Sequence, residues 1–173
     1  RALASAFPGV ADNPTQTLVD HFAAQPQALP TGTLTRLLDV DYRTVGPALD
    51  KLLVLGPSTL ILTGYSSQAR AITLEALASG QCAPDKPDVC GFVPAPAPAA
   101  TLRTTLNLTE LQAKVAHITP CTISHDAGQY LCNYAYRHAL ARAARDKLPV
   151  QVLFVHVPAI SGTTASISGM RRS

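Results

Sequence analysis

Hydrophobic residues recur along the chain in two spacings, which predict helices alternating with strands. Apolar residues three and four positions apart predict amphipathic helices, whereas short unbroken apolar runs between turn residues predict strands buried on both faces. The clearest strand is Val-Gln-Val-Leu-Phe-Val-His-Val at 150–157, and it follows the most strongly helical segment. Helices are predicted at about 15–23, 42–53, 109–116 and 127–146, strands at 58–64, 118–123 and 150–157, and a strand with a loop within 31–40.

This alternation predicts the fold class. We expect an α/β protein, a three-layer α/β/α sandwich with a central twisted, mostly parallel sheet. The 173 residues suit a single domain, 1–173, because domains commonly contain roughly 100–200 residues and no linker or repeat divides the chain. The segment rich in proline and alanine at 91–100 is predicted to be an extended surface loop, and 161–173 a frayed tail.

Composition and charge narrow the classes of function. Hydrophobic residues make up 47% of the chain and charged residues 14%, which is typical of a globular protein. No apolar run approaches the roughly 20 residues of a membrane span, so we expect a soluble protein without a membrane partner. The net charge is only +3 and the basic residues are scattered, which argues against a nucleic-acid partner. No Cys-x-x-Cys or His-x-x-x-His pair indicates a metal site.

Two of the four cysteines, Cys82 and Cys90, lie in a loop rich in turn residues at 80–91. Their closeness in the sequence leaves two alternatives open, a local disulfide or two free thiols. A disulfide would favour an exported or lumenal protein, whereas free thiols fit the cytoplasmic location that we otherwise expect.

The segment Ser-His-Asp-Ala-Gly-Gln-Tyr-Leu-Cys-Asn at 124–133 lies between a predicted strand and a predicted helix. It places Cys132 near the start of that helix, and His156 follows near the end of the next strand. If the two strands are parallel and joined by a right-handed crossover, the helix runs back antiparallel to them. The helix start and the end of the second strand then share the carboxyl edge of the sheet, where open α/β sheets place their sites. We therefore predict that Cys132 and His156 meet.

The other histidines are weaker partners for Cys132. His138 lies six residues further along the helix, about 9 Å along its axis and about 240° around it, so it faces elsewhere. His21 and His117 lie at or before the starts of predicted elements. His125 is close to the cysteine in sequence and is the real competitor of His156.

A cysteine that faces a histidine at a helix start is typical of a nucleophile with its base. A free thiol has a pKa near about 8.5, and a helix amino terminus and a neighbouring imidazolium both lower the pKa of a thiol. The pattern predicts Cys132 as nucleophile and His156 as base, with a carboxylate that holds the imidazole in one tautomer. Glu75 lies beyond the carboxyl end of the strand at 58–64 and is a candidate for this carboxylate. The alternative is that Glu75 lies on a helix and faces solvent. Asp126 is better explained as a helix cap.

Three stretches resemble the pyroglutamyl peptidase I family of cysteine peptidases. The segment 124–133 is similar to the family's Ser-x-x-Ala-Gly-x-Tyr/Phe-x-Cys-Asn, and Phe-Val-His-Val-Pro at 154–158 to its Phe-x-His-Val-Pro. Arg-Ala-Ile-Thr-Leu-Glu at 70–75 is similar to a third motif. The resemblance implies a triad of Cys132, His156 and Glu75 that releases an amino-terminal pyroglutamyl residue through a thioester. It also implies a peptide substrate, no cofactor and a homotetramer.

The residues expected to form the substrate pocket depart from the family pattern. The family's early motif of phenylalanines and glycines is reduced to Phe7, and Gln68 and Ala69 replace a Gly-Gly pair. The resemblance implies that Phe7 contacts substrate and that Arg70 supports the oxyanion, and we expect Gln68 to contact substrate as well. Three alternatives stay open: a weakened or inactive relative that binds blocked peptide amino termini, a Cys-His-Glu hydrolase of another small acyl or amide substrate, and a structural α/β domain.

Overall fold

The structure, a computed structural model, describes residues 13–97 and 100–159. These residues contain four α-helices and six β-strands. Phe7 and the tail at 161–173 lie outside these residues. A short 3₁₀ turn, Pro26–Ala28, follows the first helix. In chain order the elements are α1 (Pro14–Ala24), α2 (Tyr42–Leu53), β1 (Thr59–Tyr65), β2 (Ile72–Glu75), β3 (Leu77–Ala78), β4 (Leu102–Arg103), α3 (Leu108–Ala116), β5 (Cys121–Ser124), α4 (Leu131–Arg145) and β6 (Gln151–Val157).

The larger sheet has the strand order β1-β6-β2-β5, and β3 pairs with β4 in a small sheet of two strands. β1 pairs in parallel with β6, and β2 in parallel with β5, whereas β2 and β6 are antiparallel. The prediction of a mostly parallel sheet is confirmed. The predicted parallel crossover from 118–123 to 150–157 is wrong, because β2 lies between the two strands and β5 runs opposite to β6.

Helices cover both faces of the larger sheet. Along β6, Val152 and Phe154 belong to one buried cluster with residues of α2 and α4, whereas Leu153 and Val155 belong to a second cluster with residues of α3. This alternation is what a strand buried on both faces requires, since successive side chains point to opposite faces. Full burial of one such side chain contributes about 1.5–3 kcal/mol. The prediction of three layers is confirmed.

α4 begins at Leu131, four residues later than the predicted start at 127. The preceding residues form a turn instead, in which the Asp126 carboxylate accepts a hydrogen bond of 2.9 Å from the Gly128 amide. Gly128 has a φ of 81°, in the left-handed region that a glycine adopts without steric cost. The turn brings Cys132 into the first turn of α4.

The predicted strand within 31–40 does not form, since the structure has no strand between α1 and α2. The segment packs its side chains against the core without joining the sheet, and Leu38 and Val40 are buried. The Val40 carbonyl accepts a hydrogen bond of 3.2 Å from the Val89 amide. Hydrophobic packing and this single loop contact therefore explain the apolar run.

Cys82 and Cys90 are both free, so the local disulfide considered from the sequence is not formed. Cys82 is buried, whereas Cys90 is exposed and donates from its thiol to Asp41 Oδ2 at 3.6 Å. The loop between them directs the two thiols into different environments.

Candidate active site

The structure brings together the three side chains that the sequence predicts as a triad. Cys132 is the second residue of α4, His156 the sixth of seven in β6, and Glu75 the last of β2. His156 Nδ1 lies 2.7 Å from Glu75 Oε1. Cys132 interacts with the same imidazole ring and helps to raise the pKa of His156. The order thiol, imidazole, carboxylate is that of a nucleophile, its base and the group that orients the base.

The pairing of β2 with β6 explains why Glu75 reaches His156. Thr73 lies opposite His156 and Glu75 opposite Phe154 across this antiparallel pair. Glu75 and His156 are therefore diagonal neighbours on one face of the sheet, within reach of a long side chain. Phe154, two residues before His156 on the same face of β6, packs in the cluster with residues of α2 and α4, so these helices cover this face.

The position of α4 explains why Cys132 reaches the same place. α4 leads into β6 through a short connection at 146–150, so the helix runs back along the strand. The start of the helix then lies beside the end of β6, although the strand before the helix is not parallel to β6. Cys132 and His156 therefore meet because α4 precedes β6 directly, and the direction of β5 plays no part in this.

Burial and partners set the protonation of the site. Glu75 is 2% exposed and His156 9% exposed. Burial alone would lower the pKa of His156, but hydrogen bonds and charges from Cys132 and Glu75 outweigh it and raise the pKa to about 9. At neutral pH the His156 side chain is then an imidazolium, which can stabilise a thiolate at Cys132. The second carboxylate oxygen, Glu75 Oε2, is buried and has no hydrogen-bond partner among the described residues.

The start of α4 leaves backbone donors next to the thiol. The N-cap residue, Tyr130, makes no side-chain capping hydrogen bond. The first amides of a helix have no acceptor within the helix, and they carry the positive end of its dipole. These amides can therefore stabilise negative charge on the sulfur of Cys132 or on an oxygen that develops beside it.

The triad opens into a cavity of about 900 Å³. Glu75, Cys132 and His156 all line it. Of the other residues predicted to contact substrate, Gln68 lines the cavity, Arg70 is exposed and is not part of the lining, and Phe7 lies outside the described residues. The remaining lining residues are Tyr65, Ser66, Ser67, Ala69, Thr73, Lys86, Pro87, Ser124, Asp126, Ala127, Gly128, Gln129 and Tyr130.

In residues 13–97 and 100–159, no three His, Cys, Asp or Glu side chains come together to hold a metal ion. Every helix in the same ranges is too short or too polar to cross a membrane. His125, the competitor of His156, is exposed and is not part of the cavity lining. Within this cavity Cys132, His156 and Glu75 bring together a thiol, an imidazole and a carboxylate.

Gly64 is a site residue that sequence reasoning missed. It lies opposite His156 in the pairing of β1 with β6. A methyl group at this position would lie 2.8 Å from Cys132 Sγ and 2.8 Å from Phe154 Cζ, closer than real contacts allow. The absence of a side chain therefore makes room for the thiol. The signal in the sequence is a glycine at the end of an apolar strand, but its meaning depends on strand register, which the sequence does not reveal.

Replacing Gly64 with Ala is expected to slow the alkylation of Cys132 by iodoacetamide about 10-fold. The added methyl displaces the sulfur from His156, and a hydrogen bond that involves a charged group contributes about 1.5–3 kcal/mol. Alkylation rates at Cys132, followed by mass spectrometry of peptides, test this. Gly46→Ala is the matched control, because a methyl there would crowd the His138 ring at 3.0 Å and not the thiol. An unchanged rate in Gly64→Ala, with the fold retained, would contradict the steric argument.

Asp88 is a second residue that sequence reasoning missed. It is 5% exposed, and its carboxylate accepts hydrogen bonds from the amides of Tyr42 at 3.0 Å, Cys90 at 2.9 Å and Phe92 at 2.9 Å. Burial alone would raise the pKa of Asp88, but these three amides outweigh burial and hold the pKa below its ordinary value. Asp88 therefore fixes the loop after Cys82 to the start of α2.

Asn133 holds the segment after β3 against the start of α4. Its side-chain oxygen accepts from the Ser79 amide at 2.8 Å, and its amide nitrogen donates to the carbonyls of Ser79 and Gln81, each at 3.0 Å. Asn133 is 1% exposed. The residue next to the thiol thus anchors the helix while Cys132 faces the cavity.

Comparisons with known proteins agree with the site. A model of the pyroglutamyl peptidase family matches residues 10–170. A pyrrolidone-carboxylate peptidase of Deinococcus radiodurans is 31% identical over 150 residues, which cover 81% of this chain and 68% of that relative. A solved structure of a mutant pyrrolidone carboxyl peptidase from Pyrococcus furiosus has a TM-score of 0.79 at 27% identity, covering 92% of this chain and 81% of that one. The protein from Thermus thermophilus has a TM-score of 0.73 at 28% identity, covering 91% and 84%. The resemblance found in the three motifs is confirmed, and the chain belongs to the pyroglutamyl peptidase family.

Proposed function

We propose that this chain is a cysteine exopeptidase that hydrolyses the peptide bond after an amino-terminal pyroglutamyl residue. The observation that carries the proposal is that Cys132, His156 and Glu75, with His156 hydrogen-bonded to Glu75, line one cavity in a member of this peptidase family. Relatives similar to the chain are named pyrrolidone-carboxylate peptidases, which are hydrolases. The triad supplies every group that thioester chemistry needs.

In the first half of the proposed reaction, the Cys132 thiolate attacks the carbonyl carbon of the bond after the pyroglutamyl group. The carbonyl oxygen becomes an oxyanion, which the free amides at the start of α4 stabilise. The carbon–nitrogen bond then breaks as the His156 imidazolium gives its proton to the leaving amine. A thioester between Cys132 and the pyroglutamyl group remains, and the shortened peptide leaves.

In the second half, water attacks the thioester while neutral His156 accepts a proton from that water. The tetrahedral intermediate expels the sulfur of Cys132 as a thiolate, and pyroglutamic acid leaves and gives its carboxyl proton to solvent. The imidazolium and the thiolate are restored. Glu75 keeps Nδ1 of His156 engaged at 2.7 Å throughout, so that Nε2 is the nitrogen that exchanges protons with the thiol, the amine and the water.

Recognition of pyroglutamate has to rest on shape and neutral hydrogen bonds, because the lactam carries no charge. A pocket of this kind rejects a free amino terminus, since the ammonium would lose its hydration without gaining a partner. We propose Gln68 as the amide that pairs with the lactam, because it lines the cavity. Contact of Phe7 with the lactam ring, and support of the oxyanion by Arg70, remain predictions from the resemblance.

The test compares three substrates that differ only at the amino terminus: the aminomethylcoumarin amides of pyroglutamate, proline and alanine. We expect fluorophore release from the pyroglutamyl substrate alone, and protection of Cys132 from iodoacetamide by that substrate. Labelling of exposed Cys90 serves as the control, since substrate should not protect it. A protein that binds the pyroglutamyl substrate without turnover would be the inactive relative, and turnover of another amide would indicate a different acyl substrate. Either outcome would overturn the proposal.

The raised pKa of His156 predicts how activity depends on pH. The imidazolium is present below about 9 and is lost above it, so kcat/KM on pyroglutamyl-alanine amide is expected to fall as pH rises through about 9. This substrate has no group that titrates between pH 6 and 10. Because the folded pKa is raised, the stability linked to His156 is complete below about 6.5 and is lost as pH approaches 9. A pH–rate profile and urea unfolding at pH 6 and 10 check both effects; a rate that stays level to pH 10.5 would contradict the assignment.

Location and assembly are part of the same proposal. Free Cys82 and Cys90 support a reducing compartment, and we propose a cytoplasmic protein. We propose a homotetramer on the strength of the family resemblance, which light scattering of the purified protein would test. A monomer with full activity on the pyroglutamyl substrate would contradict the tetramer without affecting the catalytic proposal.

A further inference from the structure

One cation in the cavity wall has no role in the proposed reaction. Lys86 lines the cavity with Pro87 and is exposed to solvent. Within the residues that the structure describes, its ammonium group forms no ion pair. Two acids share the cavity, but Glu75 is bonded to His156, and Asp126 accepts from the Gly128 amide at 2.9 Å. The positive charge of Lys86 is therefore available to a ligand.

The backbone around Lys86 is held in place on both sides. Before it, the Ala83 amide donates to the Gln129 carbonyl at 2.8 Å. After it, the Pro87 carbonyl accepts from the Tyr130 hydroxyl at 3.2 Å, and Asp88 makes the three amide contacts described above. Gln129 and Tyr130 immediately precede α4 and its nucleophile. The loop is thus attached to the segment that positions Cys132, which keeps Lys86 at the wall of the cavity.

The chemistry of the proposed substrate decides what such a cation could bind. The pyroglutamyl group has no charge, so the acyl part of the substrate offers nothing to an ammonium. The oxyanion develops beside Cys132, which is 8% exposed, whereas Lys86 lines the same cavity and is exposed to solvent. The leaving peptide is the part of the substrate that carries carboxylates, and it has to pass from the cavity into solvent.

We propose that Lys86 is a specificity residue that favours substrates with a carboxylate on the first residue after the pyroglutamyl group. This inference rests on the proposed function. Two sources of that carboxylate exist, the free carboxyl terminus of a pyroglutamyl dipeptide and an acidic side chain in a longer peptide. An ion pair at an exposed site is weak, so the preference is about 1.4-fold to five-fold in kcat/KM.

Two pairs of substrates measure this preference. Pyroglutamyl-alanine is compared with pyroglutamyl-alanine amide, and pyroglutamyl-glutamate amide with pyroglutamyl-glutamine amide, each by release of the free amine. The wild type is expected to prefer the carboxylate in at least one pair, and the pair identifies its source. Lys86→Gln should bring that ratio close to one without changing turnover of the neutral amides. Lys86→Arg should keep the ratio, and added salt should reduce it by screening.

Lys114→Gln is the matched control, because Lys114 pairs with Glu110 on α3 and does not line the cavity. It should leave both ratios at the wild-type value. A wild-type ratio near one in both pairs, a ratio kept in Lys86→Gln, or an equal loss on charged and neutral substrates would overturn the inference alone, provided that neutral pyroglutamyl amides are hydrolysed. Absence of turnover on every pyroglutamyl substrate would instead overturn the proposed function, and this inference with it.

Discussion

Replacing Cys132 with Ala is expected to lower kcat on a pyroglutamyl substrate by at least about 10⁴-fold. Without the sulfur no thioester forms, and the remaining groups offer only an oxyanion site and a base, which together give a small fraction of the rate of a complete triad. Substrate binding should be retained, because the thiol contributes the attacking atom and little of the cavity wall. Fluorophore release and equilibrium binding of the pyroglutamyl substrate separate the two effects.

The substitution is a mild one for the fold, since Ala removes one atom from the first turn of a helix whose other contacts stay intact. Thermal unfolding should therefore move little. Cys90→Ser and Cys121→Ala are the controls, because Cys90 is exposed away from the cavity and Cys121 is buried in the cluster under α3. Both should keep wild-type kcat. If Cys132→Ala retained more than about 1% of the activity, a different residue would be the nucleophile.

Replacing Glu75 with Gln is expected to lower kcat about 10²-fold to 10⁴-fold while leaving the protein folded. The neutral amide keeps the size of the side chain but removes the charge that favours the imidazolium, and it allows the wrong tautomer of His156. The bond and charge of Glu75 help to raise the pKa of His156, so the alkaline limit of the pH profile should move to lower pH. The variant should also lose part of the stability linked to His156, because removing one partner of a buried charged pair is destabilising.

Glu110→Gln is the matched control for the loss of a carboxylate, because Glu110 is an exposed partner of Lys114 and does not line the cavity. It should change neither kcat nor the pH profile. A fall in kcat for Glu75→Gln without a shift of the alkaline limit would point to a structural role. Unchanged turnover would show that the carboxylate is not part of the catalytic unit, even if Cys132 and His156 are.

The residues of the triad were accessible to sequence reasoning for different reasons. Cys132 and His156 lie on one helix and the strand that directly follows it, so local geometry places them together whatever the rest of the sheet does. Glu75 was predicted from its position after a strand and from the family motif. Its contact with His156, however, depends on the antiparallel pairing of β2 with β6. That pairing joins segments 81 residues apart, and no local pattern reveals it.

The parts that sequence reasoning missed share this dependence on distant contacts. Gly64 leaves room for the thiol because it pairs with His156 in the register of β1 and β6. A shift of this register by one residue would direct position 64 to the other face of the sheet. The role of Asp88 follows from a bond to the Tyr42 amide, 46 residues away. The strand expected within 31–40 failed for the opposite reason, since an apolar run shows burial but not which partner provides it.

The assembly of the triad from β2, α4 and β6 has a consequence for how the protein matures. Contacts between segments this far apart in the chain form late, because the entropy of closing the intervening loops must be overcome first. A chain that has formed its helices but not closed its sheet would carry Cys132 as an ordinary thiol, without imidazole or carboxylate beside it. The reactive nucleophile therefore comes into existence only with the finished fold, and recovered enzymatic activity during refolding reports closure of the sheet, not formation of the helices.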